Sequence, residues 1–260
     1  MTKKLDHYEL RARVAPGLVL SLPLLVLVGY AVPGVRSIPV FAAGGICSFA
    51  MIYTLGQFSR ARGEAIEETL WKSWGGPPST RFLRPNDKAF GSALKEKIAA
   101  AVFKKFSLRL PQNEDYAKDP FASDQAIDDV FRLVRNFLRK NDPRGLWYHH
   151  MVEYGFARNL MGARVAWAVL SLVAFLASSL LTLQRGWSSA GVPLIITGTS
   201  MVASVYVGWF VLPGSVRRIA NGYAELAWAA FLALHDGKRA STVKKARTKT
   251  AVPTAEENSP

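Results

Sequence analysis

Uncharged apolar runs alternate with charged stretches along this chain. Pro16–Val35 carries no charge and approaches the ~20 residues that a membrane-spanning helix needs. Arg36 and Ser37 follow, and then a second uncharged run, Ile38–Phe58. Gly34, Arg36 and Pro39 mark the tip of a hairpin between them. Pro23 and Pro33 lie within or beside the first run, where spanning helices tolerate proline. A third run, Val165–Leu183, and a fourth, Trp187–Leu212, are joined by Gln184, Arg185 and Gly186. Trp187 and Trp209 stand near the two ends of the fourth run, as interfacial aromatic anchors do.

Ser59–Arg164, between the hairpins, reads as helices with stops. Ile66, Leu70 and Trp74 recur at i, i+4, i+8, and Glu68 precedes Lys72 by four. Gly75-Gly76-Pro77-Pro78 ends that helix. A second stripe is Leu94, Ile98, Ala101 and Val102. A third is Ile127, Val130, Phe131, Val134, Phe137 and Leu138, with Ser123 as the expected N-cap. Asp128 and Asp129 near its start, and Arg139 and Lys140 near its end, suit the helix dipole. Asn141 to Gly145 stops it, and a last helix from Leu146 is expected to enter the third run unbroken. No strand-like alternation of any length appears.

Pro213-Gly214 is expected to break or kink the fourth run. Val216, Ile219, Ala220, Tyr223, Leu226, Ala227, Ala230 and Leu234 then form one stripe of an amphipathic helix. From Gly237 onward apolar residues are few, which predicts disorder. The expectation is an all-α membrane protein with four transmembrane helices in two hairpins. Its parts are an N-terminal segment with the first hairpin (1–58), a helical water-side domain (59–164), the second hairpin (165–212), an amphipathic helix (213–236) and a basic tail (237–260).

Charge orients this layout. The formal net charge is +14, yet the two short turns carry only Arg36 and Arg185. Lys3, Lys4, Arg11, Arg13, Arg60, Arg62, Arg158, Arg164, Arg217 and Arg218 flank the spans on the other side. The positive-inside rule puts both termini and the 59–164 domain in the cytoplasm. No small-residue cleavage site follows the first run, so it reads as an anchor. The single cysteine, Cys47, excludes an internal disulfide and a cysteine-rich metal site.

Candidate chemistry is sparse. Ser171, Ala174, Ser178 and Thr182 share one face of the third span; Thr197, Ser200, Ser204 and Gly208 share one face of the fourth. Such faces serve either helix–helix packing or the lining of a water-filled pore in an oligomer. No ionisable residue lies within a span, which argues against an energised transporter. Arg132, Arg135 and Arg139 share a helical face, with Lys140 and Arg144 near it. This is either a solvated surface or a phosphate-binding one for a nucleotide or oligonucleotide. Lys104, Lys105 and Arg109 are further candidates, and Phe103, Phe106 and Trp147 either stack bases or fill the core. His149 and Glu153 are at most half a metal site. No phosphate loop, nucleophile elbow or carboxylate pair appears, so the chain reads as no enzyme and calls for no cofactor.

WGGPPSTRFLRPND (Trp74–Asp87) and EYGFARNLMGAR (Glu153–Arg164) resemble a family of bacterial four-span membrane proteins. Tyr154, Gly155, Phe156, Arg158, Asn159, Leu160 and Gly162 match its second motif, and Ala157 replaces a cation. Many such proteins are similar to partners in anti-phage defence, including the Hailong type, a membrane channel controlled by a nucleotidyltransferase product. The resemblance implies an inner-membrane effector: a homo-oligomeric channel or pore in the lipid bilayer, gated by its cytoplasmic domain in response to an anionic nucleotide-type ligand or partner protein. Tyr154, Gly155, Phe156, Arg158, Asn159 and Gly162 would form the gating junction. The alternative is a non-conducting anchor or scaffold that recruits a cytoplasmic partner.

Overall fold

The structure is a computed structural model. It describes residue 12, residues 14–31 and residues 38–250, apart from the side chains of 38–43, 189 and 237–250. The described residues are mostly helical, with no strand among them. In chain order the helices are α1 (Ala15–Ala31), α2 (Ile38–Ser73), α3 (Pro78–Arg81), α4 (Ser92–Phe106), α5 (Asn113–Lys118), α6 (Pro120–Asn141), α7 (Leu146–Gly162), α8 (Arg164–Arg185), α9 (Trp187–Tyr206) and α10 (Leu212–Thr250). A π-helical turn, Val207–Val211, joins the last two. The chain divides into two compact units. One is Met1–Gly76 with Tyr148–Tyr223; the other is Pro77–Trp147 with Ala224–Pro260.

In the first unit α1 packs on α2, α8 and α9. Among the described residues two helices are long and apolar enough to cross a membrane, Arg164–Arg185 and the continuous Ala190–Asp236. Only 22% of the apolar window of Arg164–Arg185 is buried. Val169, Leu172, Leu176, Leu180 and Leu183 stand exposed along it. An apolar face of that extent is the surface of a helix in lipid or against a partner, since soluble monomers seldom leave one bare. α1 is shorter, at 17 residues, and the hairpin tip at Gly34 and Arg36 lies outside the described residues. Arg185 donates to the carbonyls of Tyr30 and Ala31 at 3.3 and 3.4 Å. It thereby serves acceptors that the end of α1 leaves unpaired. At the opposite end of α8 the Arg164 guanidinium lies 5.0 Å from the centre of the Trp209 ring.

α2 runs through position 59 without interruption. Exposed i,i+4 pairs, Arg60–Glu64 at 2.8 Å and Glu68–Lys72 at 2.7 Å, support it. It stops where Gly75 and Gly76 take φ of 80° and 122°, conformations that only glycine adopts cheaply. The Gly76 amide then closes on the Trp71 carbonyl at 2.7 Å. Leu70 and Trp74 turn inward from the expected stripe to join Leu20, Tyr154, Leu160, Trp167, Leu212 and Val216 in the core of this unit.

In the second unit the stripes of α4 and α6 form the core. Ile98, Ala101, Val102, Ile127, Val130, Phe131, Val134 and Leu138 are buried, joined by Trp147, Trp228 and Phe231. Leu94 is exposed. The Trp74–Asp87 motif mostly serves this packing. Trp228 Nε1 donates to the Ser79 carbonyl (3.1 Å), Arg81 pairs with Asp87 (3.1 Å), and Arg84 grips both oxygens of Asp124 (2.9 and 2.5 Å).

Three local expectations are corrected. α6 begins at Pro120 with Asp119 as its cap, whose carboxylate accepts the Ala122 amide at 3.0 Å. Ser123 instead donates to the Asp119 carbonyl from inside the helix. α7 does not run unbroken into α8, because Ala163 takes φ −94° and ψ 5° between them. Pro213-Gly214 does not break the chain's last helix. Pro213 has no N–H to offer the Trp209 carbonyl, and the π turn just before it absorbs the mismatch, with the Leu212 amide bonding to the Val207 carbonyl. α10 runs to Thr250, and the remainder of the tail expected to be disordered, 251–260, lies outside the described residues.

Glycines set how closely these helices approach. A Cβ on Gly162 would lie 2.5 Å from the Arg62 carbonyl carbon, and one on Gly63 2.7 Å from the Asn159 Cα. A Cβ on Gly214 would meet nothing within 4 Å. Gly63→Ala or Gly162→Ala should therefore destabilise the protein by about 1–3 kcal/mol or more through overpacking. Gly214→Ala should stabilise it by roughly 0.5–1 kcal/mol through lost backbone entropy. Thermal unfolding in detergent reads both signs.

Candidate functional site

Where α2 crosses α7, the two glycines bring the backbones together and leave room only for small or hydrogen-bonding groups. Ser59, Gly63 and Glu67 lie four apart on α2 and so share one face. Tyr154, Arg158 and Asn159 meet that face from α7. Asn159 is 2% exposed. Its Nδ2 donates to the Ala12 carbonyl at 2.8 Å, and its own carbonyl accepts the Ser59 hydroxyl at 2.9 Å. Its Oδ1 accepts Arg158 Nη2 at 3.1 Å. Arg158 Nη1 reaches Glu67 Oε1 at 2.7 Å, and the Tyr154 hydroxyl donates to the same oxygen at 2.9 Å.

The charges in this node are largely withdrawn from water, with the side chains of Arg158 and Glu67 12% and 21% exposed. Withdrawing ions costs several kcal/mol each unless partners satisfy them, and here tyrosine and asparagine complete the set. Burial, reinforced by the Glu67 carboxylate, pushes the Tyr154 hydroxyl's pKa well up. Tyr154 is therefore a neutral donor throughout the physiological range. The Arg158 guanidinium also lies 5.7 Å from the centre of its ring.

The structure thus brings four of the six junction residues to one place: Tyr154, Arg158, Asn159 and Gly162. Gly155 is buried within α7. Phe156 turns elsewhere, to the wall of a cavity. Ala157, where the resembled motif has a cation, is 4% exposed and part of the apolar core. An arginine there would have to displace that core. Gly162 is the contact point of a tight crossing. Sequence reasoning missed Glu67 and Ser59. Their four-residue spacing with Gly63 was the signal.

The hydroxyl stripes lie mostly buried within the chain, with Thr182 and Ser200 half-buried. Ser171, Ser178, Thr197 and Ser204 are fully buried, and Ser171 Oγ meets Ser200 Oγ at 3.3 Å. Thr182 bonds to the carbonyls of Ser178 (2.8 Å) and Ala190 (3.1 Å), and Thr197 to that of Pro193 (2.7 Å). The hydroxyls of Ser171, Ser200, Thr182 and Thr197 thus serve the α8–α9 contact and their own helices, whereas the buried Ser178 Oγ has no hydrogen-bond partner among the described residues.

In the second unit, the basic face of α6 points away from the core. Arg132 is paired with Asp128 at 2.8 Å and Asp129 at 3.7 Å. Arg135 lies 5.7 Å from the Phe131 ring centre, and Arg139, Lys140 and Arg144 are exposed. Lys105 Nζ lies 4.9 Å from the Phe137 ring centre and the Arg109 guanidinium 5.7 Å from that of Phe103. Phe106 stacks on Phe231 at 5.8 Å and Trp147 is 1% exposed, so both are core; Phe103 is half exposed. His149 and Glu153 both line the cavity that Phe156 borders.

Nothing matches this chain among protein-family models, curated proteins or solved structures.

The node predicts unequal costs for neighbouring glutamates. Glu67→Gln should cost about 1–3 kcal/mol, because it leaves Arg158 without its counter-charge. Glu68→Gln, whose pair with Lys72 is 75–77% exposed, should leave stability almost unchanged. Thermal unfolding of the two variants measures the contrast. The raised Tyr154 pKa carries a sign as well. The unfolded chain loses its phenolic proton near pH ~10, before the folded one does. The contribution of Tyr154 is complete below that pH and is lost as pH rises above it. Tyr154→Phe should therefore lose less stability than wild type over an alkaline titration.

Proposed function

We propose that the protein is a four-span membrane effector whose water-side helices act on its spans through the Glu67–Arg158–Asn159 node. The spans are α1, the first part of α2, α8, and α9 with its π turn, in two hairpins, with both termini on the cytoplasmic side of a bacterial inner membrane. Copies assemble into a channel. It opens when an anionic nucleotide-type ligand meets the basic face of α6, or when a partner, such as a nucleotidyltransferase, docks there. The reading fits the resemblance to defence effectors. The observation that carries it is the withdrawal of an ion pair from water where α2 crosses α7. Such a pair is costly to break by removing one partner, so it favours a few discrete helix arrangements over a continuous range.

A second reading has its own observation. Ser171, Ser178, Thr197 and Ser204 are fully buried inside one chain, which is what packing uses them for. On that reading the spans conduct nothing, and the protein anchors its basic unit at the membrane to recruit a partner.

Ion flux from proteoliposomes, with and without anionic oligonucleotides, separates the two. The channel reading expects ligand-dependent flux that Arg132→Glu with Arg135→Glu weakens and that Glu67→Gln alters without changing ligand binding. Flux absent under every condition, with binding intact, leaves the anchor. Reporter fusions within 77–147 test the topology, and a periplasmic signal there overturns it.

A further inference from the structure

The first unit contains a cavity of about 430 Å³ between α7 and the start of α10, bordered also by Ala15 of α1. Its size lies within the range of small-ligand sites, roughly 300–1,000 Å³. Phe156, Leu212 and Ile219 give it an apolar wall. Its polar lining is His149, Glu153 and Ser215. Arg218 Nη2 stands 3.4 Å from Ser215 Oγ, which brings a guanidinium to the same edge. The Glu153 side chain is 60% exposed, and its Oε2 lies 3.9 Å from His150 Nδ1.

We infer that this cavity holds one acyl chain of a zwitterionic, amine-bearing phospholipid, with the phosphate toward Arg218 and Ser215 and the ammonium toward Glu153. The inference rests on the membrane reading above and adds a ligand to it. Three observations converge. The cavity opens where the apolar run of the last span ends at Leu212 and the basic pair Arg217 and Arg218 begins, which is the level of lipid headgroups. Its interior is apolar, so an acyl chain gains by entering. Its edge offers one cation and one carboxylate, complementary to a headgroup with both charges. A purely anionic headgroup would set its phosphate near Arg218 but leave Glu153 facing no cation of the lipid.

The test uses the full chain purified in detergent, titrated with phosphatidylethanolamine, phosphatidylcholine or phosphatidylglycerol of the same acyl chains and read by native mass spectrometry. One phosphatidylethanolamine should be retained per chain. Its occupancy should exceed that of the other two by about tenfold, the ratio expected of one charge-assisted hydrogen bond. Phosphatidylcholine cannot donate that bond. Ile219→Trp, which fills the cavity, should abolish retention. Glu153→Gln, at an exposed side chain, should keep the fold and equalise phosphatidylethanolamine with phosphatidylcholine. Retention unchanged in Ile219→Trp, or phosphatidylglycerol bound as well as phosphatidylethanolamine, overturns the inference. So does an undiminished preference in Glu153→Gln, which decides the matter even if Ile219→Trp fails to fold. Carbonate washing of membranes separates this failure from that of the underlying reading. Release of the wild-type protein defeats both, whereas a protein that stays in the membrane yet retains no lipid defeats only the cavity's assignment.

Discussion

The contact between α2 and α7 constrains much of the first unit. Gly63 and Gly162 let two backbones touch, and at that distance no long side chain fits between them. What remains beside the crossing must be short or must hydrogen-bond across it. Ser59, Asn159, Glu67, Arg158 and Tyr154 meet that demand, and each partner limits where the others can stand. Backbone packing and electrostatics are thus one constraint here. A larger residue at either glycine would separate the helices and open the polar groups to water.

Much of the helical layout was legible in the sequence because it rests on periodicity. The stripe of α6 from Ile127 to Leu138 is an i, i+3, i+4 pattern, and burial follows it closely. The stop at Gly75-Gly76 was legible because only glycine takes both positive φ values cheaply. Other features depended on contacts that no local pattern encodes. Asp119 rather than Ser123 caps α6 because the capping carboxylate must precede Pro120, whose ring suits the first turn. The course of α10 beyond Pro213 depended on a change in hydrogen-bond register that composition does not announce.

The candidate site was legible in part for a similar reason. The second motif contained Tyr154, Arg158 and Asn159, but their partners lie about 90 to 150 residues earlier in the chain, as the Glu67 and Ala12 contacts show. The small hydroxyl residues of α8 and α9 were legible as a stripe, yet a stripe looks the same whether it faces a helix or water. Only the tertiary contact, with Ser171 against Ser200, shows which neighbour they have in the chain.

The π turn has one more consequence, a matter of phase. Ser204, Gly208, Leu212, Val216 and Ala220 are all buried at strict four-residue intervals. In an unmodified α-helix each such step overshoots a full turn by about 40°. Four steps would carry the last residue nearly to the opposite side. The wider turn at Val207–Val211 takes up a surplus residue and resets much of that drift. A single helix therefore keeps one side turned inward along its passage from the apolar run to the basic one, as a straight seam would on an otherwise spiralling rod.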